Sequence, residues 1–325
     1  MAYTTIDKPT DYFNTKLYTG NGGTQSITGV GFAPNWIWIK NRTSAEGSGV
    51  FDTVRGVTKM LCSQNSDGES TTANSLTAFG SDGFSVGANN RVNQNSNNIV
   101  SWNWKETADA GFDIVSYTGN GTAGKTVAHS LSAVPKMIIL KRYNDGTASW
   151  MVYHHTLGNN IYLSLDTTAA SDTGHWDSTS PTSSVFSVSG DQRVNNDGAS
   201  YIAYCFAEKQ GYSKFGTHTG NDNADGTFVY LGFSPAFLMI KRTNSVNDWI
   251  KLDNKRNPIN PSNERILANT SAAGNTSNIM IDFLSNGFKA RSTYGGINGD
   301  GDSFIYFAFA ESPFVTSTGI PATAR

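Results

Sequence analysis

The sequence is poor in cysteine, in charged residues and in long apolar runs. Its two cysteines, Cys62 and Cys205, lie at unrelated places in 325 residues, which excludes a disulfide framework and a cysteine-based zinc site. Cys205 lies among small residues of an apolar segment, so we expect a buried thiol in a chain made in a reducing cytoplasm. No apolar run approaches the ~18 residues of a membrane-spanning helix, and the first residues lack the basic and apolar regions of a signal peptide.

Charge and helical periodicity are also scarce. Charged residues make up 15% of the chain and the formal net charge is −2, with no basic run, so binding to nucleic acid or insertion into a membrane is not expected. No segment keeps the 3.6-residue apolar period of a helix for three turns, because Gly, Asn and Ser interrupt every candidate. Aromatic residues reach 12%, which is too many for a disordered chain. This composition predicts a folded protein of strands and turns.

One apolar segment, by contrast, is present three times. Each copy begins with proline, continues after one free position with four apolar residues and ends in lysine; the copies are residues 34–40, 135–141 and 235–241. A Thr-Gly-Asn turn precedes each copy, at residues 19–21, 118–120 and 219–221. An aromatic-rich segment that ends in glutamate follows each copy, at Glu106, Glu208 and Glu311. Three anchors with a period of about 100 residues predict a tandem triplet.

The anchors divide the chain and indicate its fold class. We predict an N-terminal arm at 1–10, β-repeats at 11–107, 108–209 and 210–312, and a C-terminal tail at 313–325. Six or seven short strands per repeat predict an all-β protein of three β-sandwich-like units, similar to a jelly roll or a lectin. In the first apolar segment the tryptophans fall on one face and the isoleucines on the other. Such a strand is expected to be covered on both faces.

Two motifs resemble ligand-binding loops. Residues 119–126 match the phosphate-binding pattern of nucleotide hydrolases, but that loop must open a helix, and Pro135 leaves no room for one. We therefore interpret the segment as a hairpin turn. The Asn- and Asp-rich segments 221–226 and 298–302 resemble the start of a calcium loop but lack its later glutamate and flanking helices. We interpret them as turns, with weak calcium binding as the alternative, and expect no metal and no cofactor.

A D-x-x-R spacing occurs twice, in Asp52 with Arg55 and in Asp253 with Arg256. The second repeat has Tyr153 and His154 in that neighbourhood instead. We interpret the pairs as structural ion pairs across a turn, with a catalytic pair as the alternative. No Ser or Cys has the setting of a catalytic nucleophile, so no catalytic residue is predicted.

Three aromatic residues are candidates for ligand binding. Sugar rings stack on exposed aromatic side chains, but most aromatic residues here belong to the core pattern of the repeat. Those outside the pattern are Trp176 in the long segment 166–184, Tyr143 beside Lys141 and Arg142, and Tyr294 in the last loop. We predict that Tyr143, Trp176 and Tyr294 contact a ligand.

The anchors resemble a repeat of structural and tail proteins of tailed bacteriophages, especially marine cyanophages. The resemblance lies in the Tyr-Thr-Gly-Asn-Gly turn at 18–22, in Gly-Phe-x-Pro-x-Trp-Ile-x-Ile-Lys at 31–40 and in Phe-Asp-Thr-Val-Arg-Gly at 51–56. It continues in Trp-Asn-Trp-Lys at 102–105 and in the segment 312–321, and so covers nearly the whole chain.

The resemblance implies a non-enzymatic virion structural protein that is made in the host cytoplasm and displayed on the particle exterior. A tail fibre or receptor-binding component is expected, with other virion proteins and a host surface glycan or protein as partners. A capsid decoration protein is the alternative, and a carbohydrate-active depolymerase would need two carboxylates flanking a groove. A homotrimer is also expected, because apolar strand faces could be hidden between subunits.

Overall fold

The computed structural model describes residues 3–144 and 146–321. Residues 1–2 of the predicted arm and 322–325 of the predicted tail lie outside this part of the chain. The all-β prediction is confirmed. Within the described residues, helix is limited to a 3-10 turn at Pro9–Asp11 and two single turns, α1 (Asn90–Asn93) and α2 (Gln192–Asn195).

We group the strands into three lobes. Lobe 1 contains β1 (Phe13–Thr19), β2 (Gln25–Thr28), β3 (Trp36–Asn41), β4 (Gly49–Asp52), β5 (Lys59–Met60), β6 (Ser70–Thr71), β7 (Leu76–Gly80), β8 (Gly83–Val86) and β9 (Asn98–Trp104). Lobe 2 contains β10 (Phe112–Thr118), β11 (Lys125–Ala128), β12 (Met137–Arg142), β13 (Met151–His154), β14 (Ile161–Ser164), β15 (Asp172–Thr173), β16 (Val185–Val188) and β17 (Ser200–Phe206). Lobe 3 contains β18 (Ser213–Thr219), β19 (Phe228–Tyr230), β20 (Phe233–Arg242), β21 (Ile250–Asp253), β22 (Ile266–Leu267), β23 (Ile281–Leu284), β24 (Gly287–Ala290) and β25 (Ser303–Pro313).

Each lobe has one main antiparallel sheet and one small sheet, and lobe 1 also has the two-stranded sheet β5-β6. The main sheets have the orders β1-β9-β3-β4, β10-β17-β12-β13-β14-β15 and β18-β25-β20-β21-β22. In each of them the last strand of the lobe lies between the first strand and the strand of the Pro-to-Lys segment. The small sheets are β2-β8-β7, β11-β16 and β19-β24-β23, so lobe 2 has one strand fewer there in the described chain.

The strands of the Pro-to-Lys segments are apolar on both faces because each face has its own core. In β3, Trp36 and Trp38 point into a core shared by all three lobes, which we call the central core. Ile37 and Ile39 point the other way, into a core between the main and small sheets of lobe 1. Lobes 2 and 3 have equivalent separate cores. The predicted covering of both faces is therefore confirmed, but the inner face is buried within one chain and not between subunits.

Aromatic rings from different lobes contact each other directly in the central core. Trp36 stacks on Tyr204 of lobe 2 with ring centroids 4.6 Å apart, and Trp104 meets Phe237 of lobe 3 edge to face at 5.7 Å. Phe206 of lobe 2 lies 5.9 Å from Phe309 of lobe 3. Offset and edge-to-face pairs are the favoured arrangements of such rings. All three lobes are thus joined through one apolar interior.

The lysine that ends each Pro-to-Lys segment connects its lobe to a neighbouring lobe. Each is fully buried and donates both to a carbonyl of its own lobe and to one of another lobe. The interlobe bonds are Lys40 Nζ to Ser271 O at 2.7 Å, Lys141 Nζ to Ser66 O at 2.7 Å and Lys241 Nζ to Thr168 O at 3.1 Å. Lobe 1 therefore bonds to lobe 3, lobe 2 to lobe 1 and lobe 3 to lobe 2. We call this closed set of contacts the lysine ring.

The lysine ring predicts an unusual dependence of stability on pH. Burial lowers the pKa of Lys40, Lys141 and Lys241 to about 8 each, whereas an unfolded lysine titrates near 10.4. Between pH 8 and 10 each of these lysines is therefore more protonated in the unfolded chain than in the folded chain. The free energy of unfolding should rise with pH by up to about 1.4 kcal/mol per pH unit for each lysine. Above about pH 10 it should fall again, because burial raises the pKa of tyrosines such as Tyr204.

Urea denaturation at pH 7.5, 8.5 and 9.5 measures this slope. Lys141→Met should lower this slope by up to about 1.4 kcal/mol per pH unit, and Lys8→Met, whose side chain is 71% exposed, should leave it unchanged. Equal slopes in all three proteins would contradict the prediction.

A buried asparagine holds the Thr-Gly-Asn turn of each lobe. Asn93, Asn195 and Asn298 are fully buried, and each side chain accepts from the backbone N–H of the turn asparagine at 2.9, 2.9 and 3.1 Å. Each side-chain amide also donates back to the side-chain oxygen of that residue. The glycine of the turn is required because a Cβ there would collide with a backbone carbonyl, as for Gly20 with Gln94. These asparagines are not among the predicted residues, although they share the period of about 100 residues.

Candidate ligand-binding site

The D-x-x-R pairs are ion pairs with a structural setting. Arg55 Nε lies 2.7 Å from Asp52 Oδ2 and Arg256 Nε lies 2.6 Å from Asp253 Oδ2, with all four side chains buried. Each carboxylate also accepts from another lobe: Asp52 from Tyr204 Oη at 2.7 Å and Asp253 from Trp102 Nε1 at 3.0 Å. The structural interpretation accounts for all of these contacts.

His154 takes the place of these carboxylates in lobe 2 for a physical reason. His154 lies opposite Met137 in lobe 2, as Asp52 lies opposite Trp36 in lobe 1. His154 therefore occupies the position of Asp52. Tyr204 and Trp102, which donate to Asp52 and Asp253, occupy the same register position in the last strand of their lobes. In lobe 3 this position is Phe307, whose side chain has no polar atom. His154 Nε2 instead lies 3.3 Å from the backbone oxygen of Tyr306. Burial lowers the pKa of His154 to about 3, so the ring is neutral and donates this bond.

The structure places the three predicted ligand-binding aromatics in different environments. Trp176 is 1% exposed and packs edge to face on Tyr153 in the core of lobe 2, so the prediction of an exposed stacking ring at Trp176 is wrong. Tyr143 is half-buried against the central core, and its carbonyl accepts from Glu69 N of lobe 1 at 2.8 Å. Tyr294 is half-buried on the lobe 3 core, with the Arg265 guanidinium 4.5 Å from its ring centroid. The three residues do not form one site.

The segment that contains Trp176 nevertheless forms a cleft. In lobes 1 and 3 the corresponding segments supply β7 and β23, but residues 174–184 of lobe 2 do not form a strand. Four residues have left-handed backbones: Gly174 with φ of 122°, His175 with 73°, Asp177 with 53° and Ser178 with 49°. Positive φ is incompatible with a strand, and Trp176 fills the core instead. Clusters of such residues are typical of functional sites.

The resulting cleft has a volume of about 390 Å³ and a polar lining. Asn160, His175, Asp177, Ser178 and Asp191 contribute side chains to it. Carboxylates accept hydrogen bonds, and amide and hydroxyl groups both donate and accept them. We call it the lobe 2 cleft.

His175 is the most buried polar residue of the lobe 2 cleft, with 6% exposure. Its Nε2 accepts from Arg193 Nη1 at 3.3 Å, which leaves the proton on Nδ1. Nδ1 lies 3.4 Å from Asp191 Oδ1 but has no hydrogen-bond partner among the described residues. Burial lowers the pKa of His175. The lining of the cleft thus contains a buried imidazole whose Nδ1 faces the Asp191 carboxylate without a hydrogen bond in the described chain.

Comparison with known sequences identifies one family. A protein-family model described as a domain of unknown function (DUF7483) matches residues 8–313. The match begins just before β1 and ends at the last residue of β25, and therefore spans all three lobes. No curated protein matches the sequence.

Proposed function

We infer the function of this chain from its fold and surface, because it belongs to the DUF7483 family, a family described as a domain of unknown function. We propose that it is a non-enzymatic structural protein of a bacteriophage particle. In this role it is a tail-fibre or receptor-binding component that lies on the particle exterior and recognises the host cell surface. The resemblance of its three anchors to phage tail proteins supports this role.

The lobe 2 cleft is the observation that carries the proposal. The main sheets and cores of the three lobes are alike, whereas the segment 174–184 departs from its counterparts in lobes 1 and 3. A rigid scaffold that carries one altered loop is a common arrangement for binding proteins. The polar lining, with the side chains of Asn160, Asp177 and Ser178, suits a hydroxylated ligand such as a surface glycan.

Rigidity supports display outside the cell. A particle protein must stay folded without chaperones, and the lysine ring and the central core join all lobes into one body. The bidentate pair of Arg42 with Glu264, at 2.8 and 2.7 Å, also joins lobe 1 to lobe 3. The homotrimer remains a proposal, and the apolar faces that argued for it are covered by the chain's own lobes.

Immunogold labelling of purified particles tests the location. Gold on the tail is expected. Gold on the head would indicate a capsid decoration protein instead, and unlabelled particles would overturn the virion assignment.

Adsorption of the fluorescently labelled chain to host cells tests recognition. Asp177→Asn removes one carboxylate of the lobe 2 cleft, and asparagine tolerates the left-handed backbone at this position. Cell binding should fall at least fivefold. Asp197→Asn makes the same change of charge at an exposed residue outside the cleft lining and should bind as the wild type does. Equal binding of both variants would contradict recognition through this cleft.

A depolymerase is the second candidate, because two carboxylates, Asp177 and Asp191, line the lobe 2 cleft and such an enzyme uses a carboxylate pair. Asp191 Oδ1 already accepts from Arg193 N at 2.7 Å as the cap of α2, which favours binding over hydrolysis. Host polysaccharide incubated with the chain should keep its length in size-exclusion chromatography. Shortening that Asp177→Asn abolishes would establish the enzyme.

A further inference from the structure

Lobe 3 exposes two aromatic side chains on a strand at the edge of its small sheet. Phe228 is 46% and Tyr230 is 47% exposed, while Val229 between them is buried in the lobe 3 core. The two rings therefore lie on the same face of β19, about 7 Å apart along the strand. In the described sheet β19 pairs only with β24. We call Phe228 and Tyr230 the aromatic pair.

The other lobes have small or polar side chains at the same register positions. Tyr230 is opposite Gly287, as Thr28 is opposite Gly83 in lobe 1. Phe228 is opposite Lys289, as Ser26 is opposite Ser85. The corresponding strand of lobe 2 has Thr126 and Ala128. Since lobes 1 and 2 form this strand without aromatic residues, folding does not require the aromatic pair.

A cleft of about 260 Å³ lies beside Tyr230. Tyr3 of the N-terminal arm closes one side, where its hydroxyl donates to Gly232 O at 2.7 Å and lies 3.4 Å from Tyr230 Oη. Lys214 Nζ donates to Tyr230 O at 2.9 Å. Glu208 and Gln210, in the connection between lobes 2 and 3, complete the polar lining. We call this the Tyr230 cleft.

The lining determines which ligand chemistry fits. Lys214 and Glu208 carry opposite charges, so the Tyr230 cleft favours neither an anion nor a cation. The groups present offer a carboxylate acceptor, an ammonium donor and an amide that does both, which suits several neighbouring hydroxyls. The volume is below the roughly 300–1,000 Å³ of sites for larger small molecules. The exposed surface of two side chains is also far smaller than the ~800 Å² that each partner buries in a stable protein interface.

We propose that the Tyr230 cleft binds a neutral saccharide ring. The apolar C–H face of the ring stacks on Tyr230, and its hydroxyls bond to Glu208, Gln210 and Lys214. Phe228 provides a second stacking surface for the next sugar along the strand. This site deepens the proposed host recognition, on which its biological role rests, and it adds a lobe 3 site to the lobe 2 cleft.

Saturation-transfer difference NMR on the whole chain tests this site. The probes are the methyl glycosides of glucose, galactose, mannose and N-acetylglucosamine at 10 mM. At least one should show transfer, strongest at the protons of one ring face. Tyr230→Thr, which installs the lobe 1 residue, should reduce the signal at least fivefold, while Ile259→Ser, at a residue 74% exposed and outside the cleft lining, should not.

A folding control and a second variant distinguish loss of binding from loss of structure. Thermal unfolding checks that Tyr230→Thr is folded; if it is not, Phe228→Ser should still weaken binding of a methyl disaccharide of the bound sugar. No signal from any glycoside, or an equal signal in Tyr230→Thr, would overturn the proposal. Capture of a purified host surface protein, lost in Tyr230→Thr without any glycoside signal, would also overturn it and assign the surface to a protein. Particle labelling reads out the virion role separately, so the two proposals can fail independently.

Discussion

Residues 11–107 expressed alone should be unfolded or aggregated, although the sequence marks them as a repeat of ordinary domain size. The inner face of this lobe carries Trp36, Trp38, Trp102 and Trp104, each at most 1% exposed in the whole chain. A buried aromatic side chain covers roughly 150–250 Å², worth about 4–6 kcal/mol at 25 cal/mol per Å². Exposing even two such rings would offset much of the 5–15 kcal/mol that stabilises a typical domain.

A circular permutant that begins at residue 108 is the matched control. It has the same break in the chain but keeps all three lobes. Residues close to its joined ends are in contact, since Ser317 N donates to Asp7 Oδ1 at 2.6 Å. Far-UV circular dichroism and dispersed amide NMR signals should show a folded permutant and an unfolded single lobe. Cooperative unfolding of the isolated lobe would contradict the shared core as the source of its stability.

Trp36→Ala should destabilise the whole chain by about 3–5 kcal/mol, the usual cost of removing a large buried aromatic side chain. Trp36 lies 4.4 Å from Trp104 in its own lobe and 4.6 Å from Tyr204 in lobe 2, measured between ring centroids. The cavity would therefore open between lobes. Hydrogen exchange measured per strand should accelerate in the main sheets of lobes 1, 2 and 3 together.

Phe84→Ala provides the comparison, because Phe84 is 2% exposed and lies in the separate core of lobe 1. Phe84→Ala should lower the free energy of unfolding by a similar amount, but the faster hydrogen exchange should be concentrated in the strands of lobe 1. If Trp36→Ala also affected lobe 1 alone, the lobes would be energetically independent despite their contacts.

The two-faced strands could be predicted because their signals are local. Alternation of Trp36 and Ile37 predicts two apolar faces, and Gly and Asn predict the turns between strands. Residues 119–124 form a turn as predicted, and β11 begins at Lys125. The predicted hairpin is wrong, because β10 pairs with β17 and β11 pairs with β16 in a different sheet. Lobe 3 has His218 where lobe 1 has Tyr18, and both side chains make an equivalent bond to a residue distant in sequence: His218 Nε2 donates to Ile297 O at 2.9 Å, as Tyr18 Oη donates to Val92 O at 2.6 Å. The exact domain boundaries remain a prediction.

The candidate sites were much less predictable. Trp176 is in a polar, loop-like stretch of sequence, yet it is buried because the missing third strand leaves room in the lobe 2 core. Phe228 and Tyr230 look like ordinary core residues until the register shows that they alternate outward around Val229. His175 and Asp191 are 16 positions apart in the sequence and meet only through the left-handed turn at 174–178.

By itself, the sequence determined the period, the strands and the need to cover two faces of each main sheet, because alternation and turn chemistry act over a few neighbouring residues. Only the tertiary structure decided what covers the inner faces, since this depends on residues about 100 or 200 positions away. It placed the other two lobes there, closed the lysine ring and left the altered loop of lobe 2 and the aromatic pair of lobe 3 at the surface.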